Sequence, residues 1–285
     1  MMSPTNPIRQ QAWRSVLIFL SLLTVFSTVF QYALVNLYPS STYIGALMWC
    51  PAVAAFVTLR FSGRSIGSLP WVWPKGKWMW RSYLLPAAYV VLTYVLLWAF
   101  GFGETSNMEQ LTQWAEELGL IGIGSLPMWA LLPIAIVLVG TVGVVRSLAT
   151  TLGEEIGWRG FFIYELRKLF SFAGVSLLSG LIWALWHWPI IVYYGDNVLL
   201  EFATFIVVIV AMSFMMTYYT FKVNSLWPAA VFHAVSNVYI QKILPQIVQP
   251  REGAAHWMGE FGIMFALVTF AFGLYYWRKG IKAGL

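Results

Sequence analysis

The sequence predicts an all-α fold, a polytopic membrane helical bundle of about eight transmembrane helices. Three observations carry that prediction. Apolar runs of about 20 residues, the length a helix needs to cross a hydrocarbon core of about 30 Å, recur along the whole chain. Only 10% of the 285 residues are charged, against about a quarter in soluble domains, and mean hydropathy is +0.73. Aromatic residues make up 18%, with 16 Trp, which suits rings anchored at two membrane interfaces.

Taken in order, the spans are expected at about 15–35, 43–60, 82–101, 127–151, 172–194, 199–221, 225–246 and 257–277. The first run, Val16 to Val35, is too long for a signal-peptide core and lacks a small-residue cleavage site, so it reads as a retained span. Charge counting tests the layout independently. With the N-terminus inside, 15 Lys and Arg fall on the inner side and only Lys242 and Arg251 on the outer. That asymmetry places both termini in the cytoplasm. It also assigns the net charge of +6 to topology and anionic membrane lipid, with no nucleic-acid partner.

Two loops stand out. Arg60 to Arg81 is basic and Trp-rich and reads as an inner interfacial loop. Gly101 to Leu126 is acidic and lies outside, with Met108 to Leu118 forming a short amphipathic helix. A lone cysteine, Cys50, excludes an intrachain disulfide and any Cys-based metal cluster. No soluble domain, linker or repeat is visible, so residues 1–285 form a single integral membrane domain. A multi-pass chain of this kind is expected in a prokaryotic cell (inner) membrane.

Charged residues in mid-membrane cost about 2.5–3.5 kcal/mol on insertion scales and mark function by default. Three clusters qualify. In Gly153-Glu154-Glu155-Ile156-Gly157-Trp158-Arg159, the adjacent carboxylates point about 100° apart on a helix, and Glu155 shares a face with Arg159, four residues on. An ion pair there leaves Glu154 to face another partner. The alternative is a charge cluster at the inner interface. In Trp183-Ala184-Leu185-Trp186-His187-Trp188-Pro189, His187 sits in an apolar run and Pro189 frees a carbonyl. Alone, it reads as a hydrogen-bonded core histidine. In the stretch Asn224 to Asn237, His233 and Asn237 lie at i and i+4, where an imidazole and a carboxamide can donate to one oxygen. Alone, they read as interhelical hydrogen-bond glue. Together the three are hard to attribute to packing.

Glu154-Glu155-x-x-x-Arg159, then Trp183-x-x-x-His187, then His233-x-x-x-Asn237, with Asn-Ser-Leu-Trp-Pro leading in, resemble in order the motifs of the CPBP family of intramembrane glutamic endopeptidases. That family includes the CAAX prenyl endopeptidases and, in prokaryotes, proteins associated with abortive infection and bacteriocin immunity. The likeness covers about residues 125–245, taken as the catalytic core. It implies eight spans, no metal and no cofactor. It further implies that Glu154 and His187 hold and activate water, with Glu154 as base. His233 and Asn237 would form an oxyanion hole, while Glu155 and Arg159 position the helix end. Trp183 stands where the family usually has phenylalanine. It and Trp186 are the substrate-pocket candidates, and an altered pocket shape with no lost chemistry is expected.

Chemically, the set suits hydrolysis of a peptide bond, which needs a base for water and donors for the oxyanion. The expected partner is a membrane-associated or lipid-modified peptide entering from the membrane or the cytoplasmic side, because the Glu pair follows the fourth span at its inner end. Three alternatives stay open. One is a zinc protease using Glu154, His187 and His233 as ligands. Another is a scaffold or immunity protein that binds a peptide or partner. The last is a small transporter. Ser236 lacks a base on its own face, Asp196 and Glu201 read as solvated around an outer turn, and Glu165 belongs to an inner loop.

Overall fold

The computed structural model describes residues 6–38, 40–120 and 126–285. Helices dominate, and they run alternately between two ends of one bundle. The basic end holds the start of α1 (Pro7–Asn36), the finish of α2 (Ser41–Phe61) and the start of α3 (Gly76–Ala99). A surface helix, α4 (Met108–Glu117), follows at the opposite end. The Asn107 side chain caps it by accepting from the Gln110 N–H, which satisfies a donor the first turn leaves free. It is the amphipathic helix expected there.

The fourth rod corrects the sequence reading. Instead of ending near residue 151, it runs without a break in helicity from Met128 to Arg167, 40 residues. It comprises α5 (Met128–Leu138), a π turn (Val139–Gly143), α6 (Val144–Glu155), a second π turn (Ile156–Phe162) and α7 (Ile163–Arg167). The glutamate pair therefore sits inside a helix. Glu165 is buried there as well, paired with Arg64 at 2.7 Å and Lys168 at 2.8 Å, which corrects its placement in an inner loop.

The fifth rod bends by 42° between α8 (Phe172–Trp186) and α9 (Trp188–Tyr194). His187 lies at the joint, and Pro189 has no N–H to continue the ladder. Next, α10 (Val198–Val223) ends where Asn224 takes φ 50°, a left-handed conformation that asparagine tolerates and that stops helices. Pro228 then occupies the first turn of α11 (Trp227–Val238), a position where proline costs no hydrogen bond. A π turn (Tyr239–Ile243) leads to α12 (Leu244–Ile247), and α13 (Ile263–Lys282) returns to the basic end. It is shifted by about five residues from the span expected at 257–277.

Among the described residues, five helices can each cross a membrane by length and apolarity, or six if the bent α8–α9 pair is one span. The expected count of eight is not reached by that test. One feature escaped the sequence altogether. Two three-residue strands, β1 (Gly103–Thr105) and β2 (Val248–Pro250), pair antiparallel with Glu104 opposite Gln249.

In packing, α10 lies between α8 and α13, α1 covers α2, and α11 is held between α3 and α6. The contact of α2 with the fourth rod is unusually close. A Cβ added to Gly153 would meet the Met48 carbonyl oxygen at 2.8 Å, and one added to Gly157 would lie 2.6 Å from the Pro51 carbonyl carbon. Both neighbours are backbone and cannot swing aside. Gly157→Ala is expected to destabilise the protein by about 1–3 kcal/mol or more, as overpacking does. Unfolding in detergent micelles checks it, and a wild-type midpoint would refute the close fit.

Candidate functional site

All six motif residues lie on α6 and its π turn, at the α8–α9 joint, and on α11. Glu154 is only 2% exposed, and Glu155 and Arg159 are fully buried. As expected from their spacing, Arg159 Nη1 donates to Glu155 Oε1 at 3.1 Å. His233 Nδ1 lies 2.9 Å from the same oxygen. Arg159 Nη2 also donates to Ser213 Oγ at 2.9 Å. Its guanidinium stacks 4.1 Å above the Trp183 ring, a cation–π contact worth more when desolvated. The charge on Glu155 thus ties α6 to α11, and Arg159 extends the network to α8 and α10. Isolated charges would be prohibitive there, and pairing is the condition of their burial.

Glu154 points the other way. Its Oε2 accepts a hydrogen bond from Trp183 Nε1 at 2.8 Å. A phenylalanine at 183 would offer only a ring, so the tryptophan does more than change pocket shape: it supplies a donor that fixes the carboxylate.

His187 is oriented by the helix joint. Its backbone N–H bonds to the Ala184 carbonyl, and its ring Nδ1 lies 2.9 Å from the Trp183 carbonyl oxygen. A carbonyl only accepts, so Nδ1 carries the proton and Nε2 of a neutral ring is left as an acceptor. The freed carbonyl of Trp186 takes a hydrogen bond from Gln31 Nε2 at 2.9 Å. Trp186 Nε1 donates to Ser27 Oγ at 2.7 Å.

Glu154, Trp183, Trp186, His187, His233 and Asn237 all line one cavity of about 770 Å³. Ser236 lines it too, and its Oγ accepts a hydrogen bond from Tyr89 at 2.7 Å. Among the described residues no three His, Cys, Asp or Glu side chains are grouped so as to hold a metal ion. The zinc set of Glu154, His187 and His233 is therefore not assembled.

The cavity extends toward one end of the bundle. Its walls continue to Leu34, Ile44, Tyr194, Asp196, Glu201, Lys242 and Glu260. These residues lie near the close of α1, the opening of α2, the α9–α10 join, the π turn before α12 and the segment before α13, so they belong to the end opposite the basic one. Glu201 is also more than solvated: its Oε1 accepts from the backbone N–H groups of Asp196 and Asn197.

Sequence reasoning missed Ser213, Gln31 and Ser27. Each is a lone hydrogen-bonding side chain in a strongly apolar helix, and that contrast is the signal that could have found them.

The molecule is therefore an all-α, multi-pass membrane protein with a mid-bundle cavity lined by Glu, His and Asn. Residues 129–239 match the family model described as Type II CAAX prenyl endopeptidase Rce1-like, and that segment contains all six motif residues. The family resemblance read from the motifs stands for it. The chain is also similar to CAAX prenyl protease 2 of Methanococcus maripaludis, 31% identical over 100 residues. That match covers 30% of this chain and 34% of the relative, so the chain spans about a third of the curated relative it matches.

Proposed function

We propose that this chain is an intramembrane endopeptidase that hydrolyses a peptide bond of a membrane-associated or lipid-modified peptide by a glutamate-activated water. The carrying observation is the convergence of Glu154, His187, His233 and Asn237 on one cavity. Glu154 takes a proton from water while His187 Nε2 orients it, and the water oxygen attacks the scissile carbonyl carbon. The proton then passes to the leaving amine as the C–N bond breaks. Asn237 and His233 donate to the tetrahedral oxyanion. A ring that gives Nδ1–H to Glu155 has an N–H at Nε2 only when doubly protonated. Arg159 holds Glu155 in place.

The peptide reaches the cavity from the bilayer or through the mouth at the carboxylate-bearing end. With the basic end in the cytoplasm, that mouth faces the other side of the membrane, which we take to be a prokaryotic inner membrane. The reading requires no metal and no cofactor.

Cleavage of a membrane-peptide library by purified protein tests this proposal. The expected result is defined products formed at equal rate with and without a strong chelator. Loss of cleavage on chelation, restored by Zn²⁺, would replace the glutamate reading with a metal one.

A further inference from the structure

A second cavity, of about 400 Å³, opens at the basic end between α3, α10 and α13. Trp78, Arg81, Leu84, Tyr218, Tyr219, Tyr276 and Lys279 line it. The proposed hydrolytic chemistry uses none of them. We infer that this cavity binds the phosphate of an anionic phospholipid headgroup.

Three observations meet there. First, the two cations lack a protein counter-charge. Of the eleven carboxylates, only Glu165 lies at the basic end, and it is taken by Arg64 and Lys168. Among the described residues neither Arg81 nor Lys279 forms an ion pair, so a positive pocket remains open to an external anion.

Second, aromatic rings hold both cations in place. The Arg81 guanidinium lies 5.2 Å from the Trp78 ring centroid. Lys279 Nζ lies 5.0–5.3 Å from the rings of Tyr218, Tyr275 and Tyr276. Such packing fixes the side chains without neutralising them, which lowers the cost of ordering them around a ligand. The Tyr219 and Tyr276 hydroxyls are 2.8 Å apart. One donates to the other, leaving one O–H for a phosphate oxygen.

Third, the pocket is amphipathic along the membrane normal. Trp78 and Arg81 begin α3, one turn before Leu84, which is 57% exposed on the bundle's flank. A headgroup between Arg81 and Lys279 would therefore lead its glycerol and acyl chains down an apolar wall. A free phosphate gains nothing from that wall. Basic pockets between transmembrane helices on the cytoplasmic side are a recurrent lipid-headgroup geometry.

Thermal unfolding of the detergent-solubilised protein provides the test, with phosphatidylglycerol, phosphatidylcholine or inorganic phosphate added in parallel. Phosphatidylglycerol is expected to raise the midpoint in a saturable way, as a ligand of the native state does, while the other two leave it unchanged. Arg81→Gln with Lys279→Gln should abolish the rise. If that pair does not fold, Lys279→Gln alone is expected to weaken it at least threefold in lipid concentration. An equal rise with inorganic phosphate would reassign the pocket to free anions. No rise with phosphatidylglycerol, or an unchanged rise in the variants, would overturn the inference. None of these outcomes bears on peptide hydrolysis, so this inference and the proposed function fail separately.

Discussion

Glu154→Gln is expected to retain the fold and peptide binding and to lose cleavage by about 10²–10⁴-fold, the contribution of a positioned general base. Glutamine matches the volume of the buried side chain, and its amide oxygen still accepts the Trp183 N–H that now meets Glu154 Oε2 at 2.8 Å. What it lacks is a group able to take a proton from water. The loss should therefore fall on kcat, with KM changed little, because the amide preserves ground-state contacts. A fall in stability comparable to the fall in rate would instead mean that Glu154 is structural.

The second large effect concerns stability. Arg159→Ala is expected to cost about 3–5 kcal/mol, the penalty for leaving a buried charge unpaired. The side chain is fully buried, and it carries the ion pair to Glu155, the hydrogen bond to Ser213 and the stack on Trp183. Glu155 would keep only His233, with its Oε2 already lacking a partner. Adding Glu155→Gln to Arg159→Ala should recover part of the loss, since it removes the orphaned charge rather than the packing. Denaturation in micelles measures both. Additive losses would show that the pair does not act as a unit.

Much of this was legible because lipid leaves a chain few choices. Backbone groups must be satisfied within each segment, so apolar runs located the rods, though not the far end of the fourth. Charged and polar side chains inside such runs announced all six motif residues, and the i,i+4 spacing correctly paired Glu155 with Arg159. Hidden features depended on contacts between helices or on helix continuity. Nothing in Thr150–Gly160 tells whether the helix stops or turns through a π segment, and that ambiguity hid that the Glu pair lies inside a continuous helix. The Trp183 indole reads as a bulky ring until its N–H is seen against Glu154. Ser213 is silent on α10 until the second π turn, with Arg159, is packed beside it, and three-residue strands are too short to leave a pattern.

The account stands or falls on one comparison. A peptide cleaved by the wild-type protein would be presented to wild type and Glu154→Gln, both reconstituted in bilayers, with binding and product formation followed on the same samples. Equal binding, with product only from wild type, is the predicted result. Product from Glu154→Gln at the wild-type rate would contradict hydrolysis by a glutamate-activated water.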